Sequence, residues 1–152
     1  MAIDSCLVDT NILLRMTRQS DPQHKVVANS LALLAEQGTA LYYTHQNIAE
    51  LWNAMTRPVD RNGLGLSVSE AEREVEAIEA GMSLLTDGEA VYREWRRIVT
   101  QYGILGVQVH DARLAAAMYV HRIGHILTLN VSDFIRFPGL AALHPNSVQT
   151  DA

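Results

Sequence analysis

The chain has 152 residues, nearly half of them hydrophobic, which is enough for one core and argues for a single domain, 1–152, with a core at about 5–137 and a tail from 138. No apolar run is long enough to span a bilayer and the N-terminus lacks the basic-then-apolar layout of a signal peptide, so no membrane association and a cytoplasmic location are expected. A formal charge of −5 argues against a protein coated in nucleic acid, since phosphate affinity comes from Lys and Arg, yet leaves room for a nuclease whose field is reversed locally by metal ions and arginines.

In chain order, Cys6–Thr10 reads as a short buried strand feeding Asn11–Met16, with the lone Cys6 a small core residue. Asp21-Pro22 reads as a helix start and Gly38 as its stop, with Val26, Val27, Ser30, Leu31 and Leu34 at helical spacing between them. Ala40–Tyr43 suits a second strand. Thr44 caps a helix to about Thr56 on the stripe Ile48, Leu51, Trp52 and Met55. Proline and two glycines make Arg57–Gly65 the longest expected loop, a type of segment that often carries function.

Ser67-Val68-Ser69-Glu70 is a capping box opening an acidic helix to about Gly81. Met82–Leu85 is a short strand, and Asp87 caps a helix ending at Gly103. Val107–Val109 is expected as a further short strand before His110-Asp111 opens an alanine-rich helix to about Arg122. His125–Leu129 is the clearest later strand, and an edge strand is expected near Val148. Alternating strands and helices predict an α/β fold, a short and mostly parallel central sheet with helices on both faces.

Four acids stand at the edges of apolar segments: Asp9, Glu50, Asp111 and Asp133. In an α/β fold Asp9 and Asp133 fall just past the carboxyl ends of strands, the edge where such sheets place ligands. Glu50 points away from the apolar stripe of its helix. Asp111, at ~100° per residue, shares the buried face of Leu114, Ala115 and Met118, with no cationic side chain close before it. Gathered carboxylates repel one another unless a cation neutralises them, and hard Mg²⁺ or Mn²⁺ suits an all-oxygen donor set. Thr10, Asn11, Thr128 and Asn130 are small polar residues placed to orient the carboxylates. Thr128 and Asn130, alternating on a strand, would point to one side.

The segments Leu7-Val8-Asp9-Thr10-Asn11, Ile48-Ala49-Glu50-Leu51, Val109-His110-Asp111-Ala112 and Leu127-Thr128-Leu129-Asn130 through Asp133-Phe134 resemble the four signature segments of PIN-domain ribonucleases. In length and order they are most similar to the VapC toxins of bacterial type II toxin–antitoxin modules. The resemblance spans Leu7 to about Phe137. Residue by residue it implies that Asp9, Glu50, Asp111 and Asp133 are catalytic and bind Mg²⁺ or Mn²⁺, with Thr10, Asn11, Thr128 and Asn130 in support. It further implies an RNA substrate such as a tRNA or rRNA loop, a VapB-like antitoxin and a homodimer, the latter through helices around Trp52 or Met82–Leu85.

Arg15 and Arg18, following the first acid, are expected to reach a bound strand. Arg93, Arg96 and Arg97 share a helix face that reads equally as a phosphate track or as a salt-bridged surface. His110, Trp52 and Trp95 read as structural. Other functions fit less well. A phosphoacceptor receiver domain needs a lysine after a late strand, and Lys25 is the only lysine. A haloacid-dehalogenase-type phosphatase needs an acid where Asn11 stands. A non-catalytic metal- or protein-binding module is the remaining alternative.

Overall fold

The computed structural model describes residues 2–149, so position 1 and positions 150–152 of the expected domain lie outside the described residues. Among those described, five strands form one sheet: β1 Ser5–Val8, β2 Ala40–Thr44, β3 Ser83–Leu85, β4 His125–Leu127 and β5 Ala141–Leu143. Their order is β3-β2-β1-β4-β5 and every pairing is parallel. The helices are α1 Thr10–Met16, α2 His24–Glu36, α3 His45–Thr56, α4 Val68–Gly81, α5 Glu89–Gln101 and α6 Gln108–His121. Parallel sheets require cover on both faces. Successive side chains of β1 divide accordingly, with Cys6 and Val8 entering one core and Leu7 the other.

The connections explain which helix goes where. The chain moves from β1 to β2 to β3 in one direction, then returns across the sheet to β4. Right-handed crossovers put the first set of helices on one face and the return set on the other. The cores agree: Ile12, Leu31, Leu51 and Val75 of α1–α4 pack with Cys6 and Val8, whereas Val91 and Ile98 of α5 and the buried residues of α6 pack with Leu7 and Ile126. The direction reverses between β1 and β4, so their carboxyl ends flank a crevice of the kind that holds ligands in open α/β sheets. No helix among the described residues is long and apolar enough to cross a membrane.

Several expected boundaries move. The helix expected at Asp21-Pro22 starts at His24, because the Asp21 carboxylate accepts from Gln23 N at 2.8 Å and folds those residues into a turn. Asp87 does not cap α5, whose N-cap is Gly88; its carboxylate is paired with Arg113 instead. The strand expected at Val107–Val109 does not form. Gly106, at φ +61°, turns the chain directly into α6, and Val107 is 81% exposed. Asp111 therefore lies in the first turn of α6, not at its cap. β4 stops at Leu127, two residues before its expected end, and the edge strand is Ala141–Leu143 rather than a segment near Val148.

Candidate active site

Asp9 follows the last residue of β1 and serves as the N-cap of α1. One carboxylate oxygen accepts from Thr10 N at 2.8 Å; the other accepts from Thr128 Oγ1 at 2.7 Å and from Asn11 Nδ2 at 3.4 Å. Asp9 N donates to Leu127 O across the sheet at 3.0 Å, so this acid is pinned between β1 and the end of β4, at the crevice. It is 7% exposed. Burial raises its pKa, the bonds from Thr128 and Thr10 oppose that, and the charges of Glu50 and Asp133 raise it further.

Asp111, half-buried in the first turn of α6, is pushed up to about 7, first by burial and then by the charges of Asp9, Asp133 and Glu50. Glu50 on α3 and Asp133 in the short 3-10 turn Val131–Phe134 are both exposed, yet their fields act on both Asp9 and Asp111. Asp9 and Asp111 are therefore both raised by the same two exposed acids. Glu50 is exposed on α3, off the buried stripe of Leu51 and Met55. The one cation that acts on Asp111 is Arg136, which also donates to Gln108 Oε1 at 2.8 Å and which the sequence reading did not single out.

The supporting residues divide. Thr128 Oγ1 donates to Asp9 and accepts from Asn130 N at 3.0 Å. Asn11 Oδ1 accepts from Leu129 N at 3.1 Å, which fixes the amide orientation and tethers α1 to the segment after β4. Thr10 supplies its N–H to Asp9 while its hydroxyl accepts from Asn47 Nδ2 at 3.0 Å. Asn130 does not alternate with Thr128 on a strand, because β4 has already ended; it contributes its backbone N–H, and its side chain bonds to nothing among the described residues.

Two buried residues of α3 escaped the sequence reading. Asn47 closes the capping box with Thr44 and reaches across to Thr10. Gln46 Nε2 donates to His110 O at 2.9 Å, tying the start of α3 to the start of α6. The signal for Asn47 was the Thr44-x-x-Asn47 spacing; nothing local signals Gln46.

Other expected residues lie elsewhere. Arg15 and Arg18 stand at the far end of α1 and just beyond it, where Arg15 Nε meets Gln23 Oε1 at 3.2 Å and Asp21 at 3.5 Å. Of the face shared by Arg93, Arg96 and Arg97, Arg93 pairs with Glu89 at 2.6 Å and Arg97 with Glu94, the salt-bridged alternative. His110 is exposed in the first turn of α6. Trp95 Nε1 donates to Val109 O at 2.8 Å, and both tryptophans pack against the cores.

Among the described residues, no three His, Cys, Asp or Glu side chains are drawn together tightly enough to form a ready metal cage. The donor chemistry nevertheless suits a hard divalent cation. The four groups are all carboxylates, and the charges of the other three each work against the ionisation of Asp111. A cation beside Asp111 would offset that penalty.

The family model described as PIN domain matches residues 6–140. No curated protein matches the chain. Among solved structures, VapBC2 from Rickettsia felis bound to a DNA fragment from its promoter is similar at 17% identity and TM-score 0.67, over 92% of this chain and 98% of that chain. VapBC-1 from nontypeable Haemophilus influenzae is similar at 18% identity and TM-score 0.66, over 93% and 98%. VapC20 of Mycobacterium tuberculosis, described as a sarcin-ricin loop cleaving toxin, is similar at 15% identity and TM-score 0.56, over 80% and 86%. At these identities the likeness is one of fold.

Proposed function

The chain belongs to the PIN-domain family, and on that premise we propose that it is a Mg²⁺- or Mn²⁺-dependent endoribonuclease, the toxin of a VapBC-type pair. The observation that carries this reading is that Glu50 and Asp133 act both on Asp9, at the crevice between β1 and β4, and on Asp111, which burial first and then the charges of the other three acids push up to about 7. These four would hold the ion, as an all-oxygen donor set for a hard cation. A divalent cation, when bound, supplies charge neutralisation for phosphoryl transfer and makes water a nucleophile near neutral pH.

The chain's own residues do the positioning. Thr128, Thr10 and Asn11 hold both oxygens of Asp9 in one orientation. Asn47 holds Thr10 and caps α3, which fixes the helix that presents Glu50. Because water and not the ribose 2′-hydroxyl is the nucleophile, the products carry 5′-phosphate and 3′-hydroxyl ends.

The toxin reading brings partners. The toxin–antitoxin assemblies that share this fold support a VapB-like antitoxin, whose arginine or lysine would satisfy the same carboxylates. A homodimer would use the apolar cavity of about 440 Å³ bordered by Trp52, Ile48 and Leu84. The RNA would be a tRNA or a structured rRNA loop, and the site of action the cytoplasm. Transcript-end mapping after induced expression tests the function. New, discrete RNA ends in cells making the wild-type chain, missing with Asp9→Asn, support it. Identical end maps for the two would leave a non-catalytic binding module.

A further inference from the structure

The Arg57–Gly65 loop, conspicuous in the sequence, has no part in the acid site. It closes a cavity of about 250 Å³ against the end of α1, bordered by Arg15, Arg18, Asp21, Arg57, Asn62 and Gly63. Three arginines face one aspartate there, in a chain whose net charge is −5. The loop is built around Arg57. Gly65 N donates to Arg57 O at 2.8 Å, Gly63 N to Pro58 O at 3.0 Å and Leu64 N to Ala54 O at 3.1 Å. Asn62 takes the left-handed conformation at φ 62°, and its carbonyl accepts from Arg57 Nη2 at 3.1 Å. A Cβ at Gly63 would stand 2.0 Å from Arg57 O, so only glycine fits. All this holds a guanidinium whose Nε is buried and has no hydrogen-bond partner among the described residues.

The other two arginines are held from one side only. Arg15 is gripped at Nε by Gln23 and Asp21, and Arg18 at Nε by Ser20 Oγ at 3.3 Å, so the forked tips of both have no acceptor among the described residues. In Arg93, Arg97 and Arg113, by contrast, a nitrogen of the forked tip itself meets a carboxylate. Planar guanidinium forks suit phosphate oxygens. The position is also right for a strand that enters the acid crevice. α1 starts beside Asp9 and α3 starts beside Asn47, which is bonded to Thr10. Six residues of helix carry the chain about 9 Å from Asp9 to Arg15, and twelve carry it about 18 Å from His45 to Arg57, the C-cap of α3.

We propose that Arg15, Arg18 and Arg57 form a phosphate clamp that holds the RNA backbone at a distance from the acid site. The inference rests on the ribonuclease reading and extends it with a second anchoring point for the substrate. The clamp separates substrate grip, at the far ends of α1 and α3, from chemistry at their near ends.

The test is binding of a 5′-fluorescein-labelled single-stranded RNA oligonucleotide in EDTA, read by anisotropy over a salt series. Each arginine withdrawn from a phosphate of a single strand lowers the slope of log K against log salt by about 0.7. Arg15→Gln with Arg18→Gln should therefore lower it by about 1.4, and the control Arg93→Gln should leave it unchanged. In Mg²⁺ the double variant should raise KM and spare kcat. These two side chains lie outside both cores, so the result does not depend on whether an Arg57 variant folds. A wild-type slope in the double variant overturns the clamp, as does failure of the wild type to bind RNA. So does loss, in the double variant, of binding to an acidic peptide with RNA binding unaltered, which would make the cleft a carboxylate-binding protein interface. Cleavage with an unaltered slope leaves the nuclease and removes the clamp. A lowered slope with no cleavage in Mg²⁺ leaves the clamp and removes the nuclease.

Discussion

Asp9 and Asp111 meet the cost of burial in different ways. Asp9 is enclosed but receives donors on both oxygens, whereas Asp111 receives none among the described residues and is pushed up to about 7. Thr128→Val keeps the shape of the side chain and removes the 2.7 Å donor to Asp9. Such a bond to a charged group is worth about 1.5–3 kcal/mol, a loss that denaturant titration should register. For Asp111 the sign runs the other way from that of a salt-bridged acid. The folded chain keeps this proton between the ordinary value of 3.8 and about 7, a window in which the unfolded chain has lost it. The contribution is fully present below the lower value and is lost as pH rises through the upper one. Metal-free melting temperatures should therefore fall from pH 4 to 7 more steeply for wild type than for Asp111→Asn. At pH 8 in EDTA the variant should be as stable as wild type or more so, and Mg²⁺ should raise the melting temperature of wild type alone. A variant that melts well below wild type throughout would make Asp111 a structural cap.

Helix ends decided how far individual elements could be read. α3 and α4 begin where Thr44 and Ser67 place them, because each closes a capping box within four residues of sequence. The N-caps of α2, α5 and α6 are Gln23, Gly88 and Val107, none of which makes a side-chain cap bond. The aspartates that looked like caps are engaged elsewhere, Asp87 with an arginine 26 residues away, a partner no local pattern reveals. Val107–Val109 is a short apolar run, and such runs do not distinguish a strand from the first turn of a helix. At α3 the local signal and the site coincide. Asn47→Ala would remove the bonds that Asn47 Oδ1 accepts from Thr44 and the bond to Thr10, and leave the backbone half of the box, Asn47 N to Thr44 Oγ1. A buried hydrogen bond is worth about 0.5–1.5 kcal/mol, so the variant should be less stable by at least that much. It should also be slower in cleavage, since Glu50 lies one turn further along. Unchanged thermal melts would mean that packing alone fixes this helix.

At the level of the whole molecule, the site is a product of topology. Asp9 and Thr128, 119 residues apart, meet because the strand order reverses between β1 and β4. The four acids were legible as isolated charges at the edges of apolar runs. For Glu50 the helical wheel shows only that it leaves the stripe, and its effect on Asp9 and Asp111 emerges only in the fold. Arg136 and Gln46 were invisible for the same reason, since their partners lie on other elements. An acidic crevice also calls for a basic inhibitor. Co-expression with a small antitoxin encoded alongside should give a stable complex with suppressed cleavage, measured by size-exclusion chromatography and RNA digestion; a chain that is harmless, monomeric and without such a neighbour would contradict the toxin reading and leave the carboxylate site standing. The most direct test of the central claim, that four carboxylates hold a divalent cation to hydrolyse RNA with water, is end-group analysis of RNA cut by the purified protein. The expected products are 5′-phosphate and 3′-hydroxyl ends that form in Mg²⁺ or Mn²⁺, cease in EDTA and are missing with Asp133→Asn. Cleavage that persists in EDTA, or leaves 2′,3′-cyclic phosphates, would contradict that claim.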